Sequence, residues 1–242
     1  LYLEGGTLIK KERYPLEKGT TITVKNLFYN TPVRLKYLRS LSTELSLIID
    51  YMNKMALSYP DIKFILENND KELLNTTGDG NLLKVIYAVY GIDVAKKMIE
   101  ISGENDDYVI NGYVSYPEVA KTSRNVMTTL VNGRVIKNQA LNRAILDTYH
   151  TYIPKDKFPI IVLNIEVDPI LVDINIHPQK MDIKFSKLDE LLTLVTSLIE
   201  AKLKEILLIP HATVRTRETI YEVEDALPLE KPTSIFDEDD FT

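Results

Sequence analysis

NVMTTLVNGRVIKNQALNRAILDTY, residues 125–149, changes its period partway along. Residues 125–131 are apolar and rich in β-branched types, and read as a strand. Asn132-Gly133 is the dipeptide of a two-residue hairpin, because both central positions of a type I′ turn need positive φ. From about 138 to 152, Leu141, Ala144, Ile145, Thr148 and Tyr149 fall in one helical stripe. Further strands are expected at 160–167 and 170–176, joined at Asp168-Pro169. A strand, a tight turn, an amphipathic helix and more strands set the class as α/β or α+β.

The same reading extends in both directions. Upstream, strands are expected near 97–101 and 107–115, and a helix from about Asn81 to Tyr90 that Gly91 closes. Strands 62–67 and 71–77 are joined by the hairpin chemistry of Asn68-Asn69-Asp70. A helix after Ser42 carries Leu45, Ile48, Ile49, Met52 and Met55 on one face and ends at Tyr59-Pro60. Segments 7–11 and 20–25 read as strands, and Thr31-Pro32 as a helix start with Thr31 as N-cap. Downstream come a strand at 181–185 and a helix from about Lys187 to Leu207. Gly78-Asp79-Gly80 marks the expected domain boundary, giving units 1–78 and 79–210 and an acidic linker or tail at 211–242.

Composition narrows the classes. The 242 residues are 45% hydrophobic and 26% charged, which is the globular range. There is no cysteine, which excludes disulfides, thiolate metal sites and cysteine nucleophiles. No apolar run approaches the roughly 18 residues of a membrane span, so no membrane role is expected, and a cytoplasmic location is expected in keeping with the lack of cysteine. The net charge of −6 sits entirely in residues 213–242, which hold three basic and nine acidic residues. Local patches therefore matter more than the overall charge. Residues 18–39 carry five basic residues and no acid, and residues 131–157 carry five basic residues against Asp147 and Asp156.

Three segments could carry chemistry. In Gly19-Thr20-Thr21-Ile22-Thr23-Val24 and the following Asn26–Arg34, a helix start behind a basic strand could hold an anion. The plainer alternative is a simple cap, with Phe28 and Tyr29 in the core. Arg134 and Lys137 leave the Asn132-Gly133 turn and Arg143 lies on the helix, so the three could contact a phosphate backbone. Otherwise they are a solvated face. In Val172–Phe185, apolar Val172, Ile174 and Ile176 alternate with polar residues up to Pro178. Lys180 then stands at a turn, as a point charge for a phosphoryl group or as an ordinary surface lysine. No metal site is expected at His177.

Taken together, these segments resemble the MutL family of DNA mismatch repair proteins. GTTITVKNLFYNTPVRLKYL at 19–38, VNGR at 131–134 and VDINIHPQKMDIKF at 172–185 look like that family's signatures, in order and at suitable spacing. The resemblance covers roughly residues 1–210. It implies that residues 1–78 form the back of a GHKL-type ATPase α/β sandwich. It implies a ribosomal-protein-like fold for 79–210, with a left-handed βαβ crossover, a rare exception to the usual hand.

The resemblance also assigns roles. Gly19 and Thr20 match the pair that helps hold adenine. Lys180 matches the lysine extended toward the γ-phosphate, and Arg134, with Lys137 and Arg143, lies in the region that lines the DNA groove. The front half of the family's nucleotide site, with its general-base glutamate, metal-binding asparagine, D-x-G-x-G loop and lid, has no counterpart in the sequence. The chain alone is therefore expected to be inactive. A longer parent would use ATP and Mg2+, bind DNA, form a homodimer and recruit a MutS-type mismatch sensor and a downstream nuclease or helicase. Two rivals stand beside this reading. One is a non-enzymatic nucleic-acid-binding module. The other is a different GHKL relative, a type II topoisomerase or an Hsp90-type chaperone.

Overall fold

The computed structural model describes residues 1–15, 18–173 and 183–208. In chain order its elements are β1 (Tyr2–Glu4), β2 (Thr7–Lys10), α1 (Pro32–Leu35), α2 (Leu41–Ser58), β3 (Ile65–Asn68), β4 (Lys71–Asn75), α3 (Leu82–Tyr90) and α4 (Ile92–Ala95). There follow β5 (Met98–Glu104), β6 (Tyr108–Ser115), β7 (Met127–Val131), β8 (Arg134–Ile136), α5 (Gln139–Tyr149), β9 (Ile161–Val167), β10 (Val172–Asp173), β11 (Lys184–Phe185) and α6 (Leu188–Leu208). Segment 211–242 and Lys180 lie outside the described residues.

The centre is a five-stranded mixed sheet of order β5-β6-β9-β7-β8. Only β7 and β9 are parallel, with Met127 opposite Ile161 and Val131 opposite Ile165. A parallel pair needs a crossover, and α5 supplies it. Alternation along β9 divides the core. Ile161, Leu163, Ile165 and Val167 face one cluster and Val162 the other. The first face is covered by α5, through Leu141, Ile145 and Tyr149, and by α6, through Leu191, Val195, Ile199 and Leu203. Both sets recur every fourth residue, the stripe a helix needs to lie flat on a sheet. The second face packs Val162 and Tyr113 against Val85 and Ile86 of α3, Ala56 and Leu57 of α2, and Leu74 of β4.

Local chemistry sets the ends of these elements. Asn81 caps α3 by accepting from the Lys84 N–H at 3.1 Å, and Gly91, at φ 89°, closes it. Asp79 accepts hydrogen bonds from Lys84, Thr77 and the Asn81 N–H, which hold its carboxyl down at about 2. The β3–β4 hairpin turns at Asn69 and Asp70, both at positive φ, and Thr76 ties it back to Phe64 N at 2.8 Å.

The N-terminal stretch departs from expectation. Residues 20–25 form no strand and are exposed. Their β-branched pattern suits a sheet, but no described strand lies beside them to pair with. α1 starts at Pro32 as expected, yet Thr31 makes no side-chain cap bond and the helix is a single turn. Tyr29 is 79% exposed rather than in the core. In α2 the expected apolar face holds only toward the C-terminal end, where Met52 packs and Ala56 and Leu57 are buried, while Ile48 remains half exposed. α4 was not expected, because Gly91 read only as a stop. It is also the residue from which α4 begins.

Candidate functional site

The β7–β8 hairpin and the start of α5 position the basic candidates. Asn132 and Gly133 turn the chain at φ 47° and 78°, as a type I′ turn requires. Arg134 follows directly, opposite Val131 on the sheet's edge strand. Lys137 comes three residues later, and Asn138 caps α5 by accepting from Leu141 N at 2.9 Å. Arg134 and Lys137 are exposed. Neither has an ion-pair partner among the described residues, so their charges are available to a ligand. Arg143, on the outer face of α5, stands 3.9 Å from Asp147 with both side chains more than 70% exposed. Such a pair is loose and screened by salt, so Arg143 remains recruitable.

The asparagines do more than turn and cap. Asn132 donates from its own N–H to Ile165 O at 3.0 Å. Its side-chain amide donates to Val167 O at 2.9 Å and accepts from Val167 N at 3.1 Å. The Asn138 amide donates to Ile183 O at 3.3 Å. These contacts join the hairpin to positions 35 and 45 residues away.

Asn132 also borders an acidic surface. An open groove of about 870 Å³ is lined by Asp106, Asp107, Glu166 and Asp168 beside Pro169 and Ile170. Lys187 pairs with Asp107 at 2.6 Å and holds that carboxyl below the usual range. Glu190, hydrogen-bonded to Asp107, is pushed up. A polyanion would meet repulsion here.

A second basic element escaped the sequence reading. Arg124 stacks its guanidinium over Phe158 at 5.1 Å, and Lys121 bridges to Phe158 through both backbone bonds, at 2.8 and 2.7 Å. The two segments lie 34 residues apart by number, so only the fold brings them together. The ready sequence signal was Lys121 and Arg124 just before a strand.

Of the nucleotide candidates, Lys180 lies outside the described residues. Gly19 and Thr20 sit in exposed chain without regular structure. Among the described residues, every hydrogen bond of residues 18–39 reaches no further than five positions, the longest being Arg39 N to Glu44. Among the described residues no set of His, Asp or Glu is placed to hold a metal ion.

Comparison with known proteins matches this architecture. The family model described as DNA mismatch repair protein, C-terminal domain, covers residues 86–204, from α3 to α6. The chain is 47% identical over 218 residues to the DNA mismatch repair protein MutL of Bacillus anthracis. It is 48% identical over 217 residues to that of a Geobacillus strain. Each alignment covers 90% of this chain and 35% of the relative, so the chain spans about a third of the length of these relatives. Among solved structures, the N-terminal domain of a DNA repair protein superposes with a TM-score of 0.62 at 20% identity, covering 74% of this chain and 60% of that one. The Aquifex aeolicus MutL ATPase domain complexed with ADP gives 0.50 at 22% identity, covering 72% and 55%. The fold is thus the mixed α/β fold of GHKL-type MutL ATPase domains. With 47% identity over 90% of its length and a family model matched from α3 to α6, the chain belongs to the MutL family of DNA mismatch repair proteins.

Proposed function

We propose that this chain is the part of a longer, ATP-driven mismatch repair protein that reads the γ-phosphate and passes the signal to bound DNA. The single observation that carries this reading is the 47% identity over 218 residues to a MutL protein. In this reading residues 1–78 complete an ATPase domain and 79–210 form the following domain. Its support is that the family model begins at residue 86, just past the Gly78-Asp79-Gly80 break. The two parts are in contact, since Leu57 and Leu74 share a core with Val85 and Ile86.

Gly19 and Thr20 would meet adenine, and Lys180 the γ-phosphate. Phosphoryl transfer depends on positive charge at the equatorial oxygens more than on covalent help, and a lysine suits that task. Bound Mg2+ would neutralise phosphate charge. The described residues do not fit it and are assigned no part in holding it. Arg134, Lys137 and Arg143 would contact the DNA backbone. ATP-dependent closure would expose surfaces for a MutS-type sensor and a downstream nuclease or helicase, in a homodimer in the cytoplasm. Among the described residues no helix is long and apolar enough to cross a membrane.

The test is phosphate release from ATP by the longer protein, wild type against Lys180→Ala. A loss of at least about tenfold with the fold intact, equivalent to about 1.4 kcal/mol of barrier, supports the reading. An unchanged rate removes Lys180 from the nucleotide. No wild-type hydrolysis moves the assignment to a nucleic-acid-binding module.

A further inference from the structure

Lys121, Arg124, Lys155 and Lys157 belong to the two segments that lead into β7 and β9. Lys121 and Phe158 exchange both backbone hydrogen bonds, which locks those segments together. Arg124 opens a single 3-10 turn, Arg124–Val126, and Ser123 caps that turn by accepting from Asn125 N at 3.2 Å. The Arg124 guanidinium lies over the half-buried Phe158 ring. Lys157 N donates to Pro154 O at 3.0 Å, so the turn that carries Lys155 is closed as well. Lys121, Arg124 and Lys155 are exposed and Lys157 is half-buried. Among the described residues none of the four has an ion-pair partner. Lys97 makes the contrast: it also lies over a ring, Tyr116 at 5.6 Å, but it is paired with Glu118. A cation steadied by a ring and left without a counter-ion is available to an anionic ligand.

We propose that Lys121, Arg124, Lys155 and Lys157, with Phe158, form a nucleic-acid site separate from Arg134, and that this site takes single-stranded DNA. The choice of DNA as the polyanion rests on the function proposed above. Separation from Arg134 follows from strand length. The four cations lie before β7 and β9 begin, whereas Arg134 follows the turn at the far end of β7. Met127 to Val131 is four steps along a strand, about 13 Å. The Debye length at 0.1 M salt is about 10 Å, so the two sets of charge act largely apart.

The preference for a single strand follows from Arg124. Phe158 covers one side of its guanidinium and restrains it, while the exposure of Arg124 leaves planar surface open to solvent. An unstacked base can lie on such a surface, and any base can, because each has a π-face. Bases inside a duplex are stacked on one another and cannot reach it. The lysines on either side then meet the flanking phosphates as point charges.

The test reads the anisotropy of fluorescent oligo(dT), and separately of a fluorescent duplex, with the longer protein across a salt titration. Arg124→Ala should weaken oligo(dT) binding at least about fivefold, the loss of one stacked base. It should also lower the salt slope by about 0.7, one phosphate contact of a single strand. Arg124→Lys keeps the charge and removes the plane, so affinity for oligo(dT) should fall while the slope holds. Phe158→Leu should follow the same pattern. Duplex affinity should stay within about twofold of wild type in all three, because the Arg134 side is beyond the screening length. A purely structural contact would lower the melting midpoint of these variants and leave oligo(dT) affinity and slope unchanged, which would overturn the site. An equal loss on duplex and oligo(dT) would overturn the single-strand assignment. If Arg124→Ala behaves as wild type while Arg134→Glu weakens duplex binding, this site fails and the proposed DNA contact stands. If Arg124→Ala weakens oligo(dT) binding while Arg134→Glu changes nothing, this site stands and the contact at Arg134 fails. A wild type that binds neither probe removes both.

Discussion

Tyr149 shows how much one side chain can fix. It closes the buried stripe of α5 and is fully buried. Its hydroxyl donates to Ser115 O at 2.7 Å, while the Ser115 hydroxyl accepts from Ile160 N at 3.0 Å. The end of the crossover helix is thus tied to the end of β6 and to the entry of β9. Burial pushes the phenol well above its usual range, so it stays a neutral donor at any physiological pH. Tyr149→Phe keeps the ring and removes the donor. Stability should fall by about 1–3 kcal/mol, the cost of leaving a buried polar group short of a partner. A lower denaturant midpoint with an unchanged slope is the expected signature. An unchanged midpoint would mean that water replaces the bond.

At the scale of elements, Gly112 and Gly103 show why the sheet accepts its neighbours. Gly112 lies in β6 opposite Leu163. A Cβ there would stand 2.1 Å from Val162 O and 3.0 Å from Leu163 Cα, and its φ of +150° suits only glycine. The obstructing atoms are the backbone of β9, which cannot yield as a side chain would, so Gly112→Ala should cost about 2 kcal/mol or more. Thermal melting of the variant checks this, and a wild-type midpoint would show that β6 and β9 can separate locally. At Gly103 a Cβ would meet only the Leu198 side chain of α6, at 2.6 Å, and that flexible end can move. The same substitution there should be milder.

Elements were legible where the signal was local. The Asn132-Gly133 turn, the α5 stripe and the Gly91 stop all depend on residues within one or two turns of each other, and the structure has each. Residues 20–25 failed for a physical reason: alternation describes a surface a strand could present, not the presence of a partner. The second bonds of Asn132 and Asn138 span 35 and 45 residues and involve backbone atoms, which leave no mark on residue type. Of the candidate site, charge and spacing pick out Arg134, Lys137 and Arg143 as candidates. The roles proposed for Thr20 and Lys180 rest on family resemblance alone, since an isolated threonine or lysine carries no such signal.

At the scale of the whole molecule, charge placement decides what can bind where. The net charge of −6 would suggest a chain that avoids nucleic acid, yet all of it belongs to residues 213–242. Among the described residues exposed Arg134 and Lys137 have no ion-pair partner, and Asp106, Glu166 and Asp168 line the groove that Asn132 also borders. Binding to a phosphate backbone releases condensed counterions in proportion to the contacts made, so the slope of log affinity against log salt counts those contacts. Arg134→Glu in the longer protein should therefore weaken duplex binding and lower that slope by about 1, uniformly across sequences. Asp106→Lys, in the acidic groove, should leave the slope unchanged if DNA occupies only the Arg134 side. Equal slopes for wild type and Arg134→Glu would exclude Arg134 from the contact. A steeper slope for Asp106→Lys would place DNA over the acidic groove as well.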